Sequence, residues 1–468
     1  MIKNTKEAPV KITRNVPTKE LLEETAQRAI AYLEGLRERP VAPLPQGIGR
    51  LIQLDQPLPE ESTPAEATLK FLDETCSAAT MAMAGPRFFG FVIGGSLPVA
   101  LAANWLAGAW DQNTAYYKAT PSSAYLEQVA LGWLLNLLHL PSDCQGAFVT
   151  GATMSNFSCL AAARQAVLKR AGWNVEADGL FGAPPITVVV SEEAHPSLIK
   201  SLGLLGLGRN RTIKVPTDGQ GRMLADRLPD LSGPAIVCTQ AGNVNTGAFD
   251  PIAEICDRAH RAGAWVHVDG AFGLWAMAVP SMNRLTEGME KADSWATDFH
   301  KWLNVPYDSG LGLVRDREAL QAAMAVTAEY LPTPGQFRDP SNFVPELSRR
   351  ARGVEVWAVL HSLGRQGVIS MIEQNCRQAR RFADGFRSAG YEVLNDIVLT
   401  QVLVSFGEPE RTTRVIAGIQ ADGTCWCGGT VWHGRTALRI SVSSWATTDE
   451  DVERSLEAML RVARNVAD

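Results

Sequence analysis

Between about residue 140 and residue 315 the chain alternates short apolar runs with stretches of helical periodicity. The apolar runs are Ala147–Thr150, Ile186–Val190, Thr212–Val215, Ala235–Thr239, Ala264–Val268, Ser294–Thr297 and Gly312–Val314. They lack the strict apolar–polar alternation of a half-exposed strand, which predicts strands covered on both faces. Ser155–Arg170, Leu198–Leu205 and Ile252–Arg261 carry helical spacing between several of them. This alternation predicts an α/β fold with a mostly parallel sheet. The first 85 residues read differently. Thr18 can cap a helix through Leu22, Ala26, Ile30 and Leu33, and a second helix runs from Pro64 towards Met83. Pro40–Pro59, with five prolines, predicts an extended connector. A further helix spans Ser122–His139 and ends before Pro141. Beyond residue 350 come a long helical stretch, Val354–Ala389, strand candidates Val398–Ser405 and Ala437–Ser443, and a closing helix from Thr448 to Ala463. The expected organisation is an N-terminal helical segment over residues 1–85, a large α/β domain over 86–350 and a small α+β domain over 351–468.

Composition narrows the function. Of 468 residues, 46% are hydrophobic and 20% charged, which excludes a disordered chain. Lys and Arg number 44 against 50 Asp and Glu, and the nearest approach to a basic cluster is Arg349, Arg350 and Arg352, so a nucleic-acid partner is not expected. The apolar stretch Leu97–Trp110 is too short to span a membrane and contains Asn104. The first 15 residues lack the apolar core of a signal peptide. Cys159, Cys238 and Cys256 lie inside apolar or helical runs, as expected of reduced thiols in a cytoplasmic protein. Cys425-Trp426-Cys427 has no second Cys or His pair at ligand spacing, so no metal is expected. The turn after the first strand does not read G-x-G-x-x-G, which argues against a dinucleotide.

Four segments carry candidate chemistry. Ala292–Gly310 reads ADSWATDFHKWLNVPYDSG and places Lys301 just beyond a strand end, where open α/β sheets build their sites. A lysine there can form a Schiff base with an aldehyde such as pyridoxal phosphate (PLP). Ala264–Gly273 reads AWVHVDGAFG and delivers Asp269 at a strand end, 32 residues before Lys301. A carboxylate in that position can pair with a protonated pyridine nitrogen. Thr150–Asn156 (TGATMSN) links a strand to a helix through small residues, which lets a phosphate approach backbone N–H groups. The strand Ile186–Val190 leads to His195, whose imidazole can lie flat on an aromatic ring.

Together these segments resemble the PLP-dependent group II amino acid decarboxylases, the family of aromatic-amino-acid and glutamate decarboxylases. The resemblance runs from about Pro86 to the C-terminus and implies a type I PLP fold. It also implies a homodimer with its sites at the subunit interface, to which the N-terminal arm would contribute by wrapping a partner subunit. By resemblance, Lys301 is the Schiff-base lysine, Asp269 the partner of the pyridine nitrogen and His195 the stacking imidazole. Ala152 and Thr153 match the phosphate-binding turn, Ala271 sits under the ring, and His300 matches a residue near the phosphate. The family returns a proton to Cα from a tyrosine on a loop beyond the lysine, which Tyr330 matches. Arg349 matches an arginine just past that loop.

The chain departs from the family at Gly242–Thr246, where Val244 stands in place of a functional threonine and Asn243 is the candidate to cover its hydrogen bond. Pro86–Gly95 (PRFFGFVIGG) aligns with a stretch that lines the substrate pocket, with Phe91 and Val92 as pocket candidates and Gly90 leaving room for a bulky side chain. That pattern suits an aromatic or bulky apolar amino acid better than glutamate. Plain core packing of Phe88, Phe89 and Phe91 explains the pattern equally well. The expected reaction is decarboxylation of an L-amino acid to its amine and CO2. Carbon–carbon lyase, aldolase or aminotransferase chemistry would use the same Lys301, Asp269 and His195, and a PLP-binding homologue without turnover would keep them too.

Overall fold

Seven short strands form the sheet that carries the site: β1 (Gln145–Val149), β2 (Thr187–Ser191), β3 (Ile213–Val215), β4 (Ala235–Gln240), β5 (Trp265–Asp269), β6 (Ser294–Asp298) and β7 (Gly310–Val314). The computed structural model describes residues 18–326 and 337–466. In the order β1-β7-β6-β5-β4-β2-β3, the strands from β3 to β6 run parallel, while β7 is antiparallel to both β6 and β1. The fold is α/β with a mostly parallel sheet, as the apolar runs predict. Each strand lies within about two residues of its expected position.

Side chains alternate across a strand, so each strand feeds two cores. Val189, Val237, Val266, Val268 and Leu313 pack into the larger one, with the helix Ile252–Arg261 and the first half of the long helix Gly353–Ser388. Val188, Val190, Ile236, Cys238 and Trp265 pack on the opposite face against the helix Ala152–Arg170. Trp265, His267 and Asp269 therefore share one face of β5. Ser294 and Asp298 occupy the corresponding face of β6. All five point towards the helix that starts at Ala152.

That helix begins where two glycines meet. A Cβ on Gly310 would lie 2.5 Å from the Gly151 Cα, and Gly151 itself has φ 154. Two bare backbones can approach this closely, which brings the start of the helix over the ends of β6 and β7.

The C-terminal part contains an antiparallel sheet in the order β10-β11-β9-β8, formed by β8 (Glu392–Val393), β9 (Gln401–Ser405), β10 (Gly428–Trp432) and β11 (Arg435–Ser441). Phe382 and Phe386, from the far end of the long helix, pack under it. Residues 86–468 form one compact unit, and the long helix contributes to the cores of both sheets. Asn304, fully buried, ties the parts together. Its amide oxygen accepts from the backbone N–H of Gly95 (2.6 Å) and Trp445 (3.0 Å), while its nitrogen donates to the carbonyls of Trp302 and Ser443.

Residues 18–85 form a separate unit. Its helices Thr18–Glu34 and Ala65–Cys76 are joined by an Arg28–Asp73 ion pair of 3.1 Å. Within it the expected extended connector is instead partly helical, over Pro45–Gly49 and Arg50–Leu54. Pro45 sits in the first helical turn, where proline has no hydrogen bond to lose. The expected apolar stripe of the first helix leaves Leu22 and Ile30 exposed.

Arg349, a candidate for the substrate pocket, has a structural setting. It is buried in an ion pair with Glu127 (2.7 Å) and donates to the carbonyls of Thr114 and Phe148. Arg338 takes the other oxygen of Glu127, also at 2.7 Å. The guanidinium of Arg349 is thus held by an acid and two carbonyls within the fold. Removing the one acid between two buried cations leaves both uncompensated. Glu127→Gln is expected to lower stability by about 3–5 kcal/mol in chemical denaturation. A loss under about 1 kcal/mol would contradict this account of the triad.

Candidate active site

The sheet ends bring the expected lysine and aspartate together. Lys301 lies in the turn after β6, and its Nζ is 2.7 Å from Asp298 Oδ2. The other oxygen of Asp298 accepts the backbone N–H of Ala152, the first residue of the helix Ala152–Arg170. One buried carboxylate thus binds both the lysine and the turn matched to phosphate binding. His300 completes this corner. Its Nδ1 accepts from the Ser309 N–H (3.2 Å), its Nε2 lies 3.5 Å from Asp298, and its ring stacks on Tyr307 at 4.2 Å. Burial lowers the pKa of His300.

Asp269 ends the neighbouring strand β5 and is 3% exposed. It accepts from Asn156 Nδ2 (3.1 Å) and from the backbone N–H of Ala271 (3.2 Å). Ala271 also accepts the Asp298 N–H (2.9 Å), which links the ends of the two strands. Among the described residues Asp269 has no ion-pair partner. His195 caps the helix Pro196–Leu204: its Nδ1 accepts the Ser197 N–H, which places the proton of the neutral ring on Nε2. Burial holds its pKa below the usual histidine range, and the charges of Asp269, Lys301, Arg439 and Asp298 all act on it. These four charged groups therefore all lie near this one ring.

Other candidates lie elsewhere or play other parts. Asn243 Oδ1 accepts from the N–H groups of Asn245 and Thr246, so this amide stabilises its own turn, and Val244 packs beside the main core. Thr153 offers its carbonyl to Ser201 (2.9 Å). Val92 belongs to the core. Phe91 is exposed and stacks on Trp426 at 5.8 Å, and Trp426 stacks in turn on Phe88 at 5.1 Å. The expected room beside Gly90 is filled by that indole, since a Cβ there would lie 2.0 Å from Trp426 Cζ3. Tyr330 lies outside the described residues.

Three residues of the site escaped the sequence reading: Asn156, Asp298 and Arg439. Arg439, on β11, donates to Asn245 Oδ1 (3.2 Å), while its Nε is buried without a partner among the described residues. The space around His195 therefore holds two opposite charges that no described residue neutralises: the Asp269 carboxylate and the Arg439 guanidinium. A ligand with a ring N–H and a carboxylate matches both.

Comparison with known proteins decides the family. The pyridoxal-dependent decarboxylase conserved domain matches residues 49–407. The chain belongs to the pyridoxal-dependent decarboxylase family. L-2,4-Diaminobutyrate decarboxylase of Rhizobium meliloti (strain 1021) is 30% identical over 441 residues, covering 90% of this chain and 86% of that protein. Tryptophan decarboxylase 1 of Oryza sativa subsp. japonica is 26% identical, with 85% and 84% covered. The crystal structure of Oryza sativa TDC with PLP and tryptamine superposes with a TM-score of 0.89 at 24% identity over 99% of this chain and all of that one. The protein is a PLP-dependent carboxy-lyase with the type I PLP fold. The unpaired acid and cation and the lysine at the strand end fit that cofactor and an amino acid.

The buried imidazoles make stability depend on pH. His195, His300 and His267 all have folded-state pKa values below the unfolded one, His267 down to about 3, each chiefly through burial. The unfolded chain then binds more protons below about pH 6.5, so their contribution is complete above that pH and is lost as pH falls. His260, raised by its hydrogen bond to Asp293, works in the opposite sense but lies at the surface. The carboxyl of Asp250, which burial pushes up to about 7, also works in the opposite sense. The imidazole contribution is isolated with His267→Gln, whose unfolding midpoint is expected to fall less, or rise more, than that of the parent chain between pH 7 and pH 5. An identical pH dependence of the two proteins would contradict the buried neutral state of the His267 ring.

Proposed function

We propose that the chain decarboxylates an L-amino acid with an aromatic or bulky apolar side chain, releasing the amine and CO2. The observation that carries this reading is Asp269, a buried carboxylate with neutral N–H donors and no cation among the described residues. Burying an anion without a counter-charge is costly, and a protonated ring nitrogen would supply the missing partner. Bound PLP supplies the electron sink that makes loss of CO2 possible. Lys301 holds the cofactor, His195 covers the ring and Ala152 with Thr153 receives the phosphate beside His300. Arg439, whose charge acts on His195, is the cation nearest to hand for the substrate carboxylate. Tyr330 returns the proton to Cα, a role carried by the family resemblance.

The aromatic preference rests on one wall. Gly94 packs so closely on the lysine turn that a Cβ there would fall 1.8 Å from the Lys301 carbonyl oxygen. The segment that presents Phe91 and the Trp426 stack therefore runs beside the lysine. The relatives named above act on diaminobutyrate and on tryptophan, so the wall chemistry of this chain is the argument for the second type of side chain.

The protein would work as a homodimer in the cytoplasm. The helix Pro98–Trp110 contains no charged residue yet exposes Trp105, Leu106 and Trp110, an apolar surface suited to a second copy. The exposed Leu22 and Ile30 of the N-terminal arm support the same assembly.

The reading is tested by mass spectrometry of products from the PLP-loaded protein, supplied with the common amino acids one at a time. An amine from tryptophan, tyrosine, phenylalanine or a bulky apolar amino acid is expected. A keto acid, an aldehyde or a cleaved side chain would transfer the chemistry to another PLP reaction. Tyr330→Phe is expected to stop amine release with the cofactor absorbance intact. Undiminished amine output in that variant would remove Tyr330 from its role.

A further inference from the structure

Asp269 is the last member of a chain of buried hydrogen bonds that begins on the same face of β5. Trp265 Nε1 donates to Ser294 Oγ (2.9 Å), and Ser294 Oγ lies 2.9 Å from His267 Nδ1. His267 Nε2 is 2.9 Å from Asn156 Oδ1, and Asn156 Nδ2 donates to Asp269 Oδ2 (3.1 Å). Ser294, His267 and Asn156 are fully buried and Trp265 nearly so.

The direction of this chain follows from its ends. An indole N–H can only donate, and an ionised carboxylate can only accept. Ser294 receives the indole proton and has one hydroxyl hydrogen, which among the described residues has an acceptor only in His267 Nδ1. The ring then carries its proton on Nε2 and donates it to Asn156 Oδ1. That bond fixes the amide with its nitrogen towards Asp269. The reverse orientation would leave the Ser294 hydroxyl hydrogen without an acceptor and turn an amide oxygen against the carboxylate. Burial keeps the imidazole neutral, as this arrangement requires.

We propose that Ser294, His267 and Asn156 are positioning residues that hold Asp269 as an oriented hydrogen-bond acceptor for the ring nitrogen of the cofactor. The proposal rests on the assignment of Asp269 given above and extends it to three residues without a role in that assignment. The spacing is a product of the fold. Strand alternation sets Trp265, His267 and Asp269 in one row, register pairs His267 with Ser294, and the helix beginning at Ala152 lowers Asn156 between ring and carboxylate.

Two measurements test the chain with the full-length protein. Nitrogen NMR of histidine-labelled protein, with the His267 signal assigned through His267→Gln, is expected to show a neutral Nε2–H ring from pH 8 to pH 5. A ring protonated on Nδ1, or titrating in that interval, would overturn the proposal. The second measurement compares the affinity for PLP with that for its analogue in which carbon replaces the ring nitrogen. Wild-type protein is expected to prefer PLP. Asn156→Leu is expected to lose most of that preference and Ser294→Ala part of it, while Ser294→Thr, which keeps the hydroxyl, retains it. With a substrate in hand, kcat of Asn156→Leu should fall on the order of 10–100-fold, with KM nearly unchanged. That loss should largely disappear when the analogue replaces PLP. An equal loss with both cofactors would make the chain merely structural. If the wild-type protein turns over no amino acid, the proposed reaction fails, and the tautomer and the binding preference still decide the role of the chain.

Discussion

The structure depends on where one carboxylate is placed. Asp298 ends β6 and binds the ammonium of Lys301 with one oxygen and the backbone N–H of Ala152 with the other. Strand end, lysine and helix start are held in one corner by a group that is 2% exposed. A charge buried this deeply needs its partners, so each of the three pieces is constrained by the other two. The Gly151–Gly310 contact makes the geometry possible, since any side chain there would push the helix off the sheet.

From that corner the rest follows through strand alternation. Asp298 and Ser294 share a face of β6, and Asp269, His267 and Trp265 share the matching face of β5. The same period of two that builds the apolar cores also sorts the polar groups of the site onto one surface beneath one helix. Asn304, three residues past the lysine, then fastens the lysine turn to Gly95 and to the segment that follows β11, the strand of Arg439. The carboxylate of Asp269, without an ion-pair partner among the described residues, and the buried Nε of Arg439 are thus set in the interior of the fold and are not surface charges.

The central sheet was legible because its strands are buried on both faces and read as continuous apolar runs. Lys301 and Asp269 were legible because each follows such a run. What escaped has a common cause: it depends on contacts between distant residues. Asn156 meets Asp269 across 113 positions, and nothing in a helix reading MSNFS announces that partner. Asp298 passed as the residue just beyond a strand candidate, and Arg439 as part of one. The ion pair of Arg349 escaped for the same reason, since its partner Glu127 lies 222 positions away. Short or weakly patterned elements also escaped: the two-residue β8, and β10 with its half-exposed residues. Pro45 was read as a breaker, although at a helix start it is a helix former.

The central claim is that Lys301, held by Asp298 at the end of β6, is the residue that bonds the cofactor. The most direct measurement is borohydride reduction of the PLP-loaded protein, followed by peptide mapping of the modified lysine. The account requires one stoichiometric pyridoxyl group on Lys301. A modification spread over surface lysines, or fixed on another lysine, would contradict it.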